Sequence, residues 1–282
     1  WPSIPMDHRE YESFTERVEQ YMVKALREAK VHTGWINPRE EYEDAVKKFV
    51  RAILDRSVSN PFLEAFLPFH SLVARCGMQN SLAQLLVKIT APGIPDCYQG
   101  TELWEFSLVD PDNRRPVDFA RRAAMLQDCQ DSAEEQGIDR LALVRRLMES
   151  WEDGRIKLYL LHRGLRHRRE HATLYLDGDY VPLECHGPRQ SNICAFARLH
   201  QEQAIVTVIP RLSAELVPAA SAAVGDVWQE TRLTVPSWKA GSHYINLLTG
   251  QRLETITEEG RQVLSLSQVL RDCPVGLLER CS

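Results

Sequence analysis

The spacing of apolar residues changes near residue 172, and that change limits what the chain can fold into. Before it, apolar side chains mostly recur every three or four positions; after it they alternate over short runs. Residues three and four apart share a face of a helix, whereas every second residue shares a face of a strand. The first part therefore specifies helices and the second an antiparallel sheet. The expected class is α+β.

Within the helical part, Phe14, Val18, Tyr21, Met22, Ala25, Leu26 and Ala29 form one stripe over residues 11–29. Asn37-Pro38 predicts the start of a second helix carrying Tyr42, Ala45, Val46, Phe49, Val50, Ile53 and Leu54. Asn60-Pro61 predicts a third helix, and Asn80-Ser81 a fourth that stops at Pro92-Gly93. Further helices are expected over 119–130, 132–150 and 156–169. The basic run RGLRHRREH (163–171) closes the last of them, where the helix dipole favours cations. The alternative, a nucleic-acid patch, lacks interleaved aromatics.

Beyond residue 172, LYLDGDYVPLE predicts a hairpin around Asp177-Gly178. NICAFARL and AIVTVIPR predict a second pair, and TRLTVP, HYINLLTGQRLETI and RQVLSLSQVL further strands. Several short strands with tight turns indicate a β-sandwich or a small antiparallel barrel. The stretch AELVPAASAAVG (214–225) has no assigned role.

Composition excludes several classes. A net charge of -5 argues against a general nucleic-acid or membrane-surface binder. No apolar run approaches the roughly 20 residues of a membrane helix, and no signal peptide is read. The seven cysteines are odd in number and widely spaced, with no C-x-x-C pair, so free, mostly buried thiols in a reducing cytoplasm are expected. Neither His8 nor His186, beside Cys185, has partners at zinc spacing. No metal and no cofactor is expected.

The stretch between the helices is PGIPDCYQGTELWEFSLVDPDNRRPVD (92–118), with a candidate strand at 96–99. A helix, a strand bounded by Pro and Gly, an acidic loop and another helix make one βα unit, and α/β barrels collect their ligand groups on such loops. Glu102, Asp110, Asp112 and Asn113 suit sugar hydroxyls, Arg114 or Arg115 offers a planar donor fork, and Tyr98 or Trp104 can stack on a pyranose. Alternatively, Asp110, Asp112, Arg115 and Asp118 pair among themselves and merely pin a long loop.

PGIPDCYQGTELW resembles the strand-eight segment of the α-amylase superfamily, with its G-x-P-x-x-Y-x-G-x-E pattern. The longer YQGTELWEFSLVDPDNRRPVD resembles the maltooligosyltrehalose synthase family, the (1→4)-α-D-glucan 1-α-D-glucosylmutases. So do residues 24–46, residues 66–93 and the pieces CAFAR and VIPR; Cys97, Glu105 and Phe119 are mild departures. The resemblance implies an α+β chain in three parts. Residues 1–91 would be a helical subdomain. Residues 92–171 would hold strand eight and the following helices, the last βα unit of an incomplete (β/α)8 barrel. Residues 172–282 would be a C-terminal antiparallel β-sandwich domain.

It also implies function. The parent enzyme would convert the reducing-end α-1,4 bond of a maltooligosaccharide into an α,α-1,1 trehalosyl end. Tyr98, Gln99, Glu102, Asp110, Asp112, Asn113 and Arg115 would be substrate-binding wall residues, with no catalytic group among them. The family's nucleophile, acid/base and stabilising carboxylates lie on strands four, five and seven, upstream of this segment. With those carboxylates upstream, the isolated chain is expected to be inactive, and the opening Trp1-Pro2 in place of Met agrees with an excerpt. The expected partners are the substrate, the missing N-terminal barrel segment and a trehalose-releasing hydrolase, with no nucleic acid and no membrane.

Three alternatives stand beside this reading. One is a free-standing glycoside hydrolase using Glu102 with Asp110 or Asp112. Another is a glucan-binding module with Trp228, Trp238 or Tyr244 as stacking platform. The third is a structural domain that supports the barrel. Without barrel neighbours, residues 92–118 are expected to be poorly ordered or shielded by self-association, with apolar helix faces exposed.

Overall fold

The computed structural model describes residues 6–134, 139–216, 222–237 and 243–281. Among the described residues, seven α-helices come first: α1 (His8–Ala29), α2 (Glu40–Leu54), α3 (Pro61–Thr90), α4 (Phe119–Glu134), α5 (Arg140–Glu149), α6 (Arg155–Glu170) and α7 (Ala172–Leu176). Then come strands β1 (Asp179–Pro182), β2 (Cys185–His186), β3 (Ile193–His200), β4 (Gln203–Pro210), β5 (Arg232–Thr234), β6 (His243–Asn246), β7 (Arg252–Glu254), β8 (Ile256–Glu258) and β9 (Arg261–Ser265). A short helix α8 (Leu266–Val269) precedes the last strand, β10 (Gly276–Cys281). The chain forms two compact units, one of residues 1–73 with 105–117 and one of residues 74–104 with 118–282.

In the first unit, α1 opens with a capping box: Glu10 N donates to Asp7 Oδ1 at 2.8 Å and Asp7 N to Glu10 Oε2 at 3.1 Å. α2 lies against α1. The Tyr11 hydroxyl donates to Leu54 O at 2.7 Å, and Arg27 grips Glu43 through bonds of 2.8 and 2.6 Å. Glu43 is buried and also accepts from the Thr33 hydroxyl at 2.7 Å. Arg27 first, and then Thr33, pull its pKa down to about 2. The Asn37-Pro38 start signal falls two residues early, because α2 begins at Glu40 and its N-cap Arg39 makes no side-chain cap. Asn60 does cap α3, its Oδ1 accepting from the amides of Phe62 and Leu63.

The expected break at Asn80-Ser81 does not occur: α3 runs unbroken for 30 residues. A capping side chain needs unpaired amides, and inside a continuous helix these are already bonded. Met78, Leu82, Leu86 and Ile89 extend one buried stripe to the end of α3.

That stripe enters the core of the second unit with Leu143, Val144 and Leu147 of α5, Ile156, Tyr159 and Leu160 of α6, and Leu277 of β10. Burying one such side chain contributes roughly 1.5–3 kcal/mol. The carbonyls ending α3 meet cations: Arg168 Nη1 donates to Ile89 O at 2.6 Å and Arg198 Nη1 to Thr90 O at 3.3 Å. Two arginines of the basic run 163–171 are therefore engaged within the protein, Arg168 on the end of α3 and Arg166 on Glu170 at 2.9 Å.

The strands pair antiparallel in two sheets among the described residues, ordered β1-β3-β4-β10-β6-β7 and β2-β5-β9-β8. One apolar cluster draws on both: Ala195, Val206, Tyr244 and Leu278 from the first, Leu233 and Leu264 from the second. The β3–β4 hairpin matches the expected pair, with Ile193 opposite Pro210 and His200 opposite Gln203.

Other expectations fail. Residues 96–99 form no strand, since an isolated extended segment has nothing to pair with. The hairpin around Asp177-Gly178 is absent, because Ala172–Leu176 is helical and β1 pairs with β3. Gly178 serves close approach instead: a Cβ there would lie 2.2 Å from Leu174 O. The run SLSQVL folds partly as α8, whose Leu266 and Val269 are buried, as is the C-cap Leu270 that follows, all at helical spacing. β10 was not anticipated. Its first three residues are buried, so the sequence lacks the alternation of a half-exposed strand. The helix expected over 132–150 is α5, from 140 on; residues 135–138 lie outside the described ones. All seven cysteines are free, but only Cys129 and Cys273 are fully buried.

Candidate functional site

The acidic loop divides between the two units, so its candidate residues form two groups, each described by itself. In the second unit, the Glu102 carboxylate folds back to accept from Gly100 N and from Arg122 Nε, both at 2.9 Å. Arg122 Nη2 also donates to Gly100 O at 3.0 Å, which fixes the turn. Trp104 Nε1 donates to Trp151 O at 2.6 Å, and Lys157 Nζ to Leu103 O at 3.0 Å. These bonds anchor the segment from both sides, while the Tyr98 ring is 63% exposed and Gln99 is exposed beside it. Glu102 thus holds the turn, and Tyr98 and Gln99 face outward.

In the first unit, Asp112 is the hub. Arg17 of α1 donates to Asp112 Oδ1 through Nε and to Oδ2 through Nη2, each at 2.7 Å. Leu108 N adds a third bond at 2.7 Å, and Arg115 Nε lies 3.0 Å from Oδ1. The Arg17 hydrogen bonds come first among the causes that hold the Asp112 carboxyl below the usual carboxylate range. Arg17 Nη2 also reaches Phe106 O at 3.1 Å, and Lys24 Nζ donates to Asp110 O at 2.5 Å. Arg114 pairs with Asp110, and Asn113 and Arg115 are exposed; Asp118 belongs to the second unit, where it accepts from Arg121 N at 2.9 Å.

The loop's charges do pair, as one alternative expected, but the strongest partner comes from α1. Arg17 and Lys24 went unnoticed in the sequence. They are seven residues apart, two helical turns, and so present one face of α1 to the loop. Trp35 also went unnoticed. It lines a cleft of about 610 Å³ with Glu16, Gln20, Lys24, Arg27 and Pro111. Its ring is 54% exposed, and Arg27 lies over it at 5.1 Å. An exposed aromatic among carboxylates, an amide and cations can stack on and hydrogen-bond to a polyhydroxylated ring.

Two of the three aromatics expected as a stacking platform, Trp228 and Tyr244, offer no such surface. Trp228 and Tyr244 are fully buried, and Trp228 Nε1 donates to Ala223 O at 3.1 Å. Trp238 lies outside the described residues.

No family model matches the chain. Two curated Mycobacterium tuberculosis proteins (strains CDC 1551 and H37Rv), provisionally named maltooligosyl trehalose synthase, are each 36% identical over 184 residues. The match covers 64% of this chain and 20% of theirs. A solved maltooligosyltrehalose synthase from Arthrobacter ramosus aligns with 95% of this chain at 30% identity and a TM-score of 0.72. The chain is a relative of the maltooligosyltrehalose synthases. A second solved maltooligosyl trehalose synthase aligns with 95% of it at 29% identity and a TM-score of 0.66. The chain spans 20–30% of the length of these synthases. Like the solved ones, it combines helices with antiparallel sheet.

Proposed function

We propose that this chain is the C-terminal part of an intramolecular α-glucan transglucosylase of the maltooligosyltrehalose synthase type, in glycoside hydrolase family 13. The alignment of 95% of the chain with the Arthrobacter synthase carries this reading. In the whole enzyme, a carboxylate would attack the anomeric carbon next to the terminal glucose, while an acid protonates the departing 4-oxygen. The released glucose would turn, and its anomeric hydroxyl would attack the same carbon, displacing the carboxylate, giving its proton to the acid/base and leaving an α,α-1,1 bond. Such a transfer needs the glucose held and water excluded.

Within that reading, the chain has three parts, 1–91, 92–171 and 172–282, the middle one supplying strand eight of a barrel and the last a sandwich. The triad would lie on a preceding barrel segment, leaving this piece inactive alone. Tyr98, Gln99, Asn113 and Arg115 would face sugar, while Asp110, Asp112 and Glu102 hold their backbone for them. Exposed Phe62, Phe69 and Val73 on α3 would meet the missing segment. No helix among the described residues is long and apolar enough to cross a membrane. The proposed setting is the cytoplasm, with a trehalose-releasing hydrolase acting on the product.

Proton NMR of maltopentaose incubated with the chain tests this reading. Reducing-end anomeric signals should persist. Their replacement by an α,α-1,1 signal would place the catalytic carboxylates within the chain and overturn the inactive-fragment reading.

A second reading rests on the Trp35 cleft: the chain alone binds maltooligosaccharide without turning it over. Titration calorimetry with maltopentaose separates the two, since heat lost on Trp35→Ala would support binding by this unit.

A further inference from the structure

His167, His171 and Glu279 bring three ligand atoms within 4.8 Å of one another, inside the second unit and apart from the acidic loop's candidate residues. His167 and His171 lie four residues apart at the end of α6. A backbone bond from His171 N to His167 O at 2.9 Å fixes the spacing, and the rings stack at 4.3 Å. Glu279 projects from β10, which is paired on both sides, with Ile205 of β4 and Ile245 of β6. All three groups thus stand on rigid elements. Glu279 Oε1 lies 3.4 Å from His167 Nε2 and 3.7 Å from His171 Nε2.

Those separations suit a transition metal. Bonds of about 2.0–2.1 Å at tetrahedral angles set neighbouring ligand atoms about 3.3–3.4 Å apart. Two of the three edges are at or near that length without rearrangement. The outer contacts suit it too. His167 Nδ1 is 2.7 Å from the Tyr175 hydroxyl, and a ring that gives its Nδ1 hydrogen there keeps the Nε2 lone pair for a cation. His167 is buried, while His171 and Glu279 are partly exposed, which leaves the fourth position open to water. Arg163 is a further charge acting on Glu279, so a single carboxylate must offset two cationic groups and affinity is expected to be modest.

We propose that His167, His171 and Glu279 form a binding site for a borderline-soft divalent metal, with Zn²⁺ the best fit to two imidazoles and one carboxylate. Residues 167–171 spell H-x-x-E-H, the order of ligands and base in one class of zinc hydrolases. Here Glu170 is held by Arg166 at 2.9 Å, so the arrangement supplies ligands and no base. The role is to clamp the end of α6 to β10.

The test uses the full chain, freed of metal, with Zn²⁺ or Co²⁺ added alone. One equivalent of Zn²⁺ should bind and raise the melting temperature, Co²⁺ should give the visible absorption of a four-coordinate centre, and Mg²⁺ should do neither. His171→Ala and Glu279→Gln should abolish both signals while melting near the wild type without metal. Tyr175→Phe should weaken Zn²⁺ binding by about 10–100-fold, as loss of an outer-shell partner does. No binding by the wild type overturns the proposal. Equal binding by wild type and both ligand variants also overturns it, placing the metal elsewhere, on the thiols.

Discussion

Arg17 of α1 holds Asp112 of the acidic loop through two parallel hydrogen bonds of 2.7 Å, across 95 residues of sequence. A fork on a carboxylate fixes position as well as charge. Residues 105–117 should therefore depend on this one pair. Arg17→Ala leaves a partly buried carboxylate with fewer donors, a cost of roughly 1–3 kcal/mol. Hydrogen exchange should accelerate over 105–117 while α5 and α6 keep their protection. Unchanged exchange in the loop would mean that Leu108 N and Arg115 suffice without Arg17.

Glu43 makes the first unit sensitive to acid. Its folded pKa of about 2 lies below the 4.5 of an unperturbed glutamate, so its contribution is present above pH 4.5 and lost as pH falls through about 2. Asp112 shifts in the same direction. Glu43→Gln should cost roughly 1–3 kcal/mol at pH 7, where it strands Arg27 and Thr33. The gap between wild type and variant should shrink on going to pH 3. A gap of equal size at both, measured by urea unfolding, would contradict the assignment.

Much of this organisation was legible because period and chemistry agreed. The stripe from Phe14 to Ala29 predicted α1, and Asn60 capped α3 as expected. The change of period near 172 falls seven residues before the first strand, Asp179, because Ala172–Leu176 adds one more short helix. Failures came where a long-range contact decided. Asp177-Gly178 has the composition of a turn, yet the close approach of Leu174 O required the glycine. β10 is buried on both faces at its start and has no period to read. In the candidate site, the acidic residues were visible, but their partners Arg17, Lys24 and Arg122 were not, because nothing local joins a helical arginine to a carboxylate 95 residues on.

Gly178→Ala tests the first of those failures. The added methyl would meet backbone at 2.2 Å from Leu174 O and 2.9 Å from Leu199 O, and neither oxygen can swing aside as a side chain can. Arg198 Nη2 also donates to Gly178 O at 2.7 Å, so any shift disturbs that buried guanidinium. A loss of roughly 1–3 kcal/mol is expected, as for overpacked sites. A melting temperature equal to the wild type would show that Gly178 marks a turn of the ordinary kind.

Trp35 and Trp228 should respond oppositely to truncation. Trp228 is fully buried among Leu233, Leu264 and Leu278, so Trp228→Ala should cost about 3–5 kcal/mol. Any loss of glucan binding in that variant reports unfolding. Trp35 is half-exposed beside a cleft, so Trp35→Ala should change stability by less than about 0.5 kcal/mol. If the cleft receives sugar, maltopentaose affinity should fall several-fold in Trp35→Ala at unchanged melting temperature, since stacking of the indole on the apolar face of a pyranose is lost while the polar rim stays. Retained affinity would remove the cleft from the substrate path and make Tyr98, an exposed aromatic of the acidic stretch, the next to examine.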